Sequence, residues 1–345
     1  MHNDMKTSCE VYPMISIIIP VRNEERFLRQ TVEALLDQDY PKSLMEILII
    51  VADSTDNTLE IAKELHCSHE SINYYNNPNC LSSSARNIGI QNAKGDIISF
   101  IDGHTYIDNN QLLKNTVKLM NTKNVSVLSR PQFLWTPYNS FIQNCIALAR
   151  ASIFGHGKDS TIYNRQEAYV DPSSSGATYR RNIFSAVGLY DESFDACEDV
   201  DLNYRISQAG YNSFTSMKLC VYYYPRETLK GLFMQMIRYG VGRYRLISKH
   251  PGTLSIWTLL PALFTLLLHI LLLCSVSDIM WAKTLLLFGS IYLSAVTFLS
   301  VWISMHNGFK YLFVLPIVFL LIHLGLGYGL LWGAMRTIFG KEYPQ

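Results

Sequence analysis

The chain has 345 residues and a net charge of +1, a length that suggests two structural units and a balance that implies no attraction to nucleic acid. Charge is unevenly spread: from Leu254 to Met335 the only Asp, Glu, Lys or Arg residues are Asp278, Lys283 and Lys310. The seven cysteines (Cys9, Cys67, Cys80, Cys145, Cys197, Cys220 and Cys274) include no C-x-x-C pair, so they suit reduced thiols better than a zinc site or a disulfide framework.

Met1 to Pro13 is polar and lacks the apolar run of a signal peptide. Ile15 to Pro20 is an apolar run bounded by prolines, which predicts a strand buried on both faces. Glu24 to Asp37 then sets Phe27, Leu28, Val32, Leu35 and Leu36 on one helical stripe. A second buried strand is expected over Ile47 to Ala52, ending in Asp53-Ser54-Thr55-Asp56, residue types that cap the helix expected through Leu65. A third run, Asp96 to Ile101, stops at Asp102-Gly103-His104. Strand, helix, strand, helix, strand in this order predicts a parallel sheet with right-handed crossovers. The sequon Asn124-Val125-Ser126 reads as chance.

Leu229 to Lys249 carries Lys230, Arg238, Arg243, Arg245 and Lys249 among Leu, Phe, Met and Tyr, which suits an interfacial helix on anionic lipid. Three apolar stretches follow, at 254–274, 284–304 and 311–335. Each is long enough to cross a hydrocarbon core as a helix, which takes roughly 20 residues. The organisation read from sequence is an α/β unit over 1–228, a basic interfacial segment over 229–252 and a membrane region over 253–345. His269 and His323 read as neutral histidines bonded within the bundle. Gly325, Gly329 and Gly333 have the four-residue spacing of close helix packing. The basic segment places the α/β unit on the cytoplasmic side; three spans then put the C-terminus outside, where Arg336 and Lys341 fit the positive-inside rule poorly.

In a parallel α/β sheet, ligands bind beyond the carboxyl ends of the strands. Polar and acidic residues end all three strands here: Asn23 and Glu24, Asp53 and Asp56, Asp102 and His104. Neither G-x-G-x-x-G after the first strand nor G-x-x-x-x-G-K-[ST] occurs. A carboxylate-rich site would repel a diphosphate unless a divalent cation lay between them, which points to Mg2+ or Mn2+ at Asp102-Gly103-His104. Further on, Glu198-Asp199-Val200-Asp201 opens a helical stretch through Gly210. There one carboxylate suits a helix cap and another a general base; spacing alone does not choose between them. His156, between two glycines, reads as a loop residue.

Five motifs in order resemble the large inverting family 2 glycosyltransferases of GT-A fold: Ser16-Ile17-Ile18-Ile19-Pro20-Val21-Arg22-Asn23-Glu24, Ser54-Thr55-Asp56-Asn57-Thr58, Ala85-Arg86-Asn87-Ile88-Gly89, Asp102-Gly103-His104 and Glu198-Asp199. Within that family the chain looks most like the succinoglycan-biosynthesis glucosyltransferase branch, through the histidine of the third triplet position and Tyr222-Tyr223-Tyr224-Pro225-Arg226 leading to Arg238-Tyr239-Gly240. The resemblance covers about 14–261. It implies an α/β GT-A nucleotide-sugar domain with a mostly parallel central sheet, followed by an interfacial helix and a three-helix transmembrane region.

By the same resemblance, Pro20, Arg22, Asn23 and Glu24 form the first nucleotide-facing loop, Asp53 and Asp56 face the nucleoside, and Arg86 and Asn87 line the donor site. Asp102 and His104 hold a divalent cation on the diphosphate. Asp199, beside Glu198, takes the proton from the acceptor hydroxyl. Gln235, Arg238 and Tyr239 match the acceptor-side Q-x-x-R-W element, with tyrosine for tryptophan. One departure is that Ala52-Asp53 precedes Ser54-Thr55-Asp56 without the family's usual glycine. The implied reaction is transfer from a UDP-sugar, with UDP-glucose favoured, to a lipid-linked or saccharide hydroxyl with inversion. Two competing readings are a polyprenyl-phosphate sugar synthase and a catalytically silent sugar-nucleotide-binding membrane subunit.

Overall fold

The computed structural model describes residues 12–136, 140–157, 162–163 and 165–339; Cys9, Lys341 and the first eleven residues of the polar N-terminal segment lie outside that range. Strand and helix alternate through β1 (Ile15–Val21), α1 (Leu28–Leu36), β2 (Met45–Ala52), α2 (Thr58–Ser68), β3 (Ile72–Asn77), α3 (Ser82–Asn92) and β4 (Ile97–Phe100). The runs expected to be doubly buried are so: Ile15, Ile17, Ile18, Ile19, Ile47, Leu48, Ile49 and Ile50 have no exposed surface. Helices on both faces of the sheet account for this. Helix α1 starts at Leu28, four residues later than periodicity predicts, because Asn23 and Glu25 are engaged in side-chain bonds to the next loop.

The later part of the unit is less regular. It contains β5 (Thr105–Tyr106), α4 (Leu112–Thr122), β6 (Val127–Ser129), β7 (Gln132–Leu134), α5 (Phe141–Ala151), α6 (Ile153–His156), β8 (Ala168–Val170) and β9 (Gly176–Arg180). It closes with α7 (Asn182–Val187), α8 (Glu198–Gln208), β10 (Ser213–Thr215) and β11 (Val221–Tyr223). The large sheet has the order β3-β2-β1-β4-β9-β6-β10-β8, and β5-β11-β7 form a smaller one. β1 pairs in parallel with β2 and β4, as do β2 with β3 and β6 with β10, while β9 runs antiparallel between β4 and β6 and β8 antiparallel at the edge. The chain enters β2 and β4 from opposite sides of β1. That reversal opens a crevice above the carboxyl ends of β1, β2 and β4, the place where such sheets bind ligands.

Beyond β11 lie α9 (Leu229–Lys249), α10 (Ile256–Cys274), α11 (Ile279–Asn307) and α12 (Leu315–Ile338). The last three, of 19, 29 and 24 residues, are long and apolar enough to cross a membrane. Helix α11 extends beyond the expected 284–304 because the Asp278 side chain accepts from the Met280 N–H and starts it earlier. His269 bonds Tyr328 and the Thr265 carbonyl, and His323 bonds Tyr292 and the Phe154 carbonyl.

Helices α9 and α12 pack backbone to backbone. A Cβ on Gly240 would lie 2.4 Å from the Leu326 carbonyl oxygen, and one on Gly329 2.1 Å from that of Ile237. Gly333 meets the Tyr244 side chain and Gly325 meets Met236 in the same way. The expected packing role of the glycine stripe therefore has a specific partner, the segment thought to be only interfacial. Gly329→Ala is expected to destabilise the full chain by about 1–3 kcal/mol through overpacking, read as a lowered thermal midpoint in detergent; an unchanged midpoint would mean that the helices are free to separate.

Candidate active site

Two loops above the sheet are zipped together by side chains on backbone. The Asn23 N–H donates to Ser54 Oγ and the Thr55 N–H to Asn23 Oδ1, at 3.2 and 2.8 Å. The Glu24 N–H donates to Thr58 Oγ1 at 2.7 Å and the Glu25 N–H to Asp56 Oδ2 at 3.1 Å. Asn23 accepts a left-handed backbone (φ 57°) to do this, a conformation asparagine tolerates better than most residues. Asp56 also accepts from the Thr58 N–H at the start of α2, from the position before the N-cap Asn57, whose own side chain makes no cap bond. Asp53 is exposed on this rim, its carbonyl accepting from Arg22 Nε at 3.3 Å, and Pro20 is the last residue but one of β1.

The β4 end supplies Asp102 and His104. His104 Nδ1 lies 2.7 Å from Glu24 Oε1, tying the β4–β5 loop to the β1–α1 loop. Burial alone would lower the His104 pKa; the hydrogen bond and charge of Glu24, with Asp102 near, outweigh it and hold the pKa above its ordinary value. Asp102 Oδ1 faces Arg86 Nη2 at 3.4 Å, and Arg86 Nη1 meets Glu198 Oε1 at 3.1 Å. Carboxylate, guanidinium and carboxylate thus form a chain from β4 through α3 to α8. Arg86 lies over the rings of Phe100 and Tyr190, 5.6 and 5.5 Å from their centroids. Burial pushes the Glu198 carboxyl up, and Arg86 opposes it.

Cys197, in the left-handed region at φ 66°, turns the chain into α8. Glu198 is then buried while Asp199, the next residue, is exposed, with Oδ1 accepting from the Val200 N–H at 2.9 Å. Adjacent carboxylates are thereby separated by environment, one paired inside and one open at a helix N-terminus, which stabilises its charge.

Asn87 is placed behind this site. Its amide donates to the Tyr190 carbonyl and to Glu192 Oε1 and its carbonyl accepts from the Tyr190 N–H, at 2.9, 2.8 and 2.9 Å. It braces the 190–192 turn. On the membrane side, Gln235 Nε2 donates to Tyr239 Oη at 3.2 Å, Arg150 lies 5.8 Å from the Tyr239 ring, and Arg238 pairs with Asp195 at 3.2 Å. The Cys197 thiol points at the Tyr239 carbonyl, so this trio borders the turn that carries Glu198. Arg245 donates to the Ser193 carbonyl, and Lys249 pairs with Asp191 and Asp201 at 2.6 and 2.8 Å. Three of the five basic residues expected on anionic lipid are instead drawn to the 191–201 segment, whose carboxylates and carbonyls are closer partners.

Sequence reading missed Arg130. It is 2 % exposed, donating to the Phe100 carbonyl, Ser99 Oγ and Thr178 Oγ1 at 2.7, 2.8 and 2.9 Å. It sets a buried guanidinium within electrostatic reach of Asp102. Nothing local in Ser129-Arg130-Pro131 signals this, since the partners come from β4 and β9. The six described cysteines are free thiols.

Among the described residues no group of three or more His, Cys, Asp or Glu forms a metal cage. Asp102 and His104 are nevertheless a coherent pair of donors: the carboxylate is a third exposed, and Glu24 occupies Nδ1 of the imidazole, leaving Nε2 as the ligating nitrogen. Carboxylate-to-imidazole pairing of this kind is what orients a metal-bound histidine. Two protein donors suffice for a cation whose other ligands are phosphate oxygens and water.

The profile of the family described as glycosyl transferase family 2 matches residues 16–188. Over 93 % of this chain and 97 % of the relative, the sequence is 28 % identical to dolichyl N-acetyl-alpha-D-glucosaminyl phosphate 3-beta-D-2,3-diacetamido-2,3-dideoxy-beta-D-glucuronosyltransferase of Methanococcus voltae. It is 32 % identical to succinoglycan biosynthesis protein ExoA of Rhizobium meliloti (strain 1021), over 71 % of this chain and 73 % of that one. The fold matches that of mannosyltransferase PcManGT from Pyrobaculum calidifontis, solved with GDP-Man and Mn2+, with a TM-score of 0.62 and 15 % identity over 96 % of this chain and 89 % of that one. Ordered motifs, a GT-A sheet whose crevice gathers them, and relatives matched over most of both chains agree: the protein is a glycosyltransferase belonging to family 2.

Proposed function

We propose that the protein moves a hexose from a nucleoside-diphosphate sugar, UDP-glucose being the favoured donor, to a hydroxyl of a lipid-linked saccharide, with inversion. The observation that carries this reading is the split between Glu198 and Asp199. A buried, Arg86-paired carboxylate cannot take up an acceptor's proton without breaking its pair; the exposed one beside it can. Asp199 is therefore assigned as the general base, Glu198 and Arg86 as the groups that hold it in place. The zipped loops carrying Pro20, Arg22, Asn23, Glu24, Asp53 and Asp56 are assigned to the nucleoside, and Gln235, Arg238 and Tyr239 to the acceptor side.

Asp102 and His104 are the residues that would hold a divalent cation, Mg2+ or Mn2+, whose charge, when bound, neutralises that of the departing diphosphate. The acidic rim makes such a cation necessary for an anionic donor, and the Pyrobaculum enzyme's complex with Mn2+ is in keeping with it. A lipid-linked acceptor agrees with the apolar helices α10, α11 and α12 and with the dolichyl phosphate in the Methanococcus relative's name. The catalytic unit is assigned to the cytoplasmic face, with the basic α9 before the first span.

The test is a donor screen on the full chain in nanodiscs, scoring released nucleoside diphosphate with and without lipid-linked acceptors. A UDP-hexose is expected to give acceptor-dependent release. EDTA is expected to abolish that release and Mn2+ or Mg2+ to restore it. Full turnover in chelator would remove the cation from Asp102 and His104; release independent of any acceptor would overturn transfer.

A further inference from the structure

Asp201 lies two residues past the proposed base, and nothing in the reaction uses it. Its carboxylate has no exposed surface. Three cationic or potentially cationic groups converge on it: Arg205 one turn along α8 at 3.0 Å, and from the end of α9 Lys249 Nζ and His250 Nε2, each at 2.8 Å. Burial works to raise its pKa, but Lys249, His250 and Arg205 outweigh that and hold it below the ordinary value. A buried carboxylate with one local partner would be an internal helix brace. One that draws in the last residue of another helix and the C-cap residue after it joins two elements.

The joined element is itself held elsewhere. On one face α9 touches α12 through Gly240 and Gly329. On another it bonds the segment before α8: Arg238 to Asp195, Arg245 to the Ser193 carbonyl, and Lys249 to Asp191. Gly242 is pressed there as well, since a Cβ on it would lie 2.5 Å from the Ala196 carbonyl oxygen. Residues 191–197 are thus held against α9 before Cys197 turns into Glu198 and Asp199. Arg205 completes the frame, donating also to the Val187 and Leu189 carbonyls.

We propose that Asp201 is a positioning residue that fixes the first turn of α8, and with it Asp199, to the membrane-packed pair α9–α12 through Lys249 and His250. The proposal rests on Asp199 being the base. Because the lock acts on the base and not on the donor loops, its loss is expected in turnover rather than in nucleotide affinity. Misplacement of a reacting group by about 1 Å costs on the order of 100-fold in rate.

The test uses the full chain in nanodiscs with Asp201→Asn, and the double variant Lys249→Met/His250→Gln, which alters only the α9 side and leaves α8 intact. Both are expected to lower kcat by about tenfold or more while the KM for the donor the wild type turns over, and the affinity for UDP with Mn2+, change less than about twofold. Amide hydrogen exchange is expected to quicken at 191–203 and 246–250 and to stay unchanged over β1 to β4. Overturning results are wild-type kcat in both variants, equal losses in kcat and UDP affinity, or faster exchange throughout the sheet. Asp199→Asn assayed alongside separates the two claims: if it turns over normally, the base assignment falls, while the exchange data still judge the lock.

Discussion

Asp199→Asn is expected to lower sugar transfer by about 10²–10⁴-fold, the range for loss of a general base, with nucleotide affinity retained. The asparagine keeps the size of the side chain and its acceptor oxygen for the Val200 N–H, so α8 and the buried Glu198 stay where they are. In the proposed mechanism, what is lost is the ability to take the hydroxyl proton as the bond to the anomeric carbon forms. Steady-state turnover and equilibrium UDP binding, measured on one preparation, check this. A variant that still transfers at near-normal rate would show that the acceptor arrives already anionic, as a lipid phosphate would, and would favour a polyprenyl-phosphate acceptor over a sugar hydroxyl.

Arg86→Met carries the second large effect, and it falls on stability as well as on rate. Arg86 lies between Asp102 and Glu198 with side-chain exposures of 12 %, 33 % and 9 % respectively. Removing one partner of a buried pair costs about 3–5 kcal/mol, because the remaining charge is left without compensation. Here the remaining charge is Glu198. Without Arg86, burial and the neighbouring Asp199 continue to push its carboxyl up, opposed only by its backbone and Ser82 bonds. Arg86→Lys should rescue little, since a single ammonium cannot span two carboxylates as the planar guanidinium does. Thermal unfolding and turnover of both variants are the measurements. A melting point equal to wild type in Arg86→Met would mean that the pair contributes nothing to the fold.

Much of this site was legible from residue order. Doubly apolar runs such as Ile17-Ile18-Ile19 and Ile47-Leu48-Ile49-Ile50 require helices on both sides, and only a parallel arrangement supplies them. A polar or acidic residue closing each such run then has to stand at the carboxyl edge, which is where Asn23, Asp53 and Asp102 are found. The apolar helices follow equally from composition, because an 82-residue stretch with three charges has no polar face to offer water. The start of α2 was readable from the polar run ending in Asp56, which accepts from the Thr58 N–H, though not the shift of α1 to Leu28, since that depends on bonds made to the neighbouring loop.

The division of labour within Glu198-Asp199-Val200-Asp201 was not readable, because three carboxylates in four residues differ only in what surrounds them. Burial against Arg86 claims the first, the open cleft the second, and the end of α9 the last. The same holds for Arg238, Arg245 and Lys249: a basic amphipathic helix looks like a lipid-binding one until the folded chain brings Asp191, Asp195 and Asp201 within reach. Sequence by itself therefore determined the elements, their order and the edge of the sheet where the polar residues gather, because hydrophobic period and strand-end chemistry are local. Only the tertiary structure decided which carboxylate is free, which is paired and which is a tether, because a charged group's role is set by the dielectric and the partners around it, and those arrive from residues dozens of positions away.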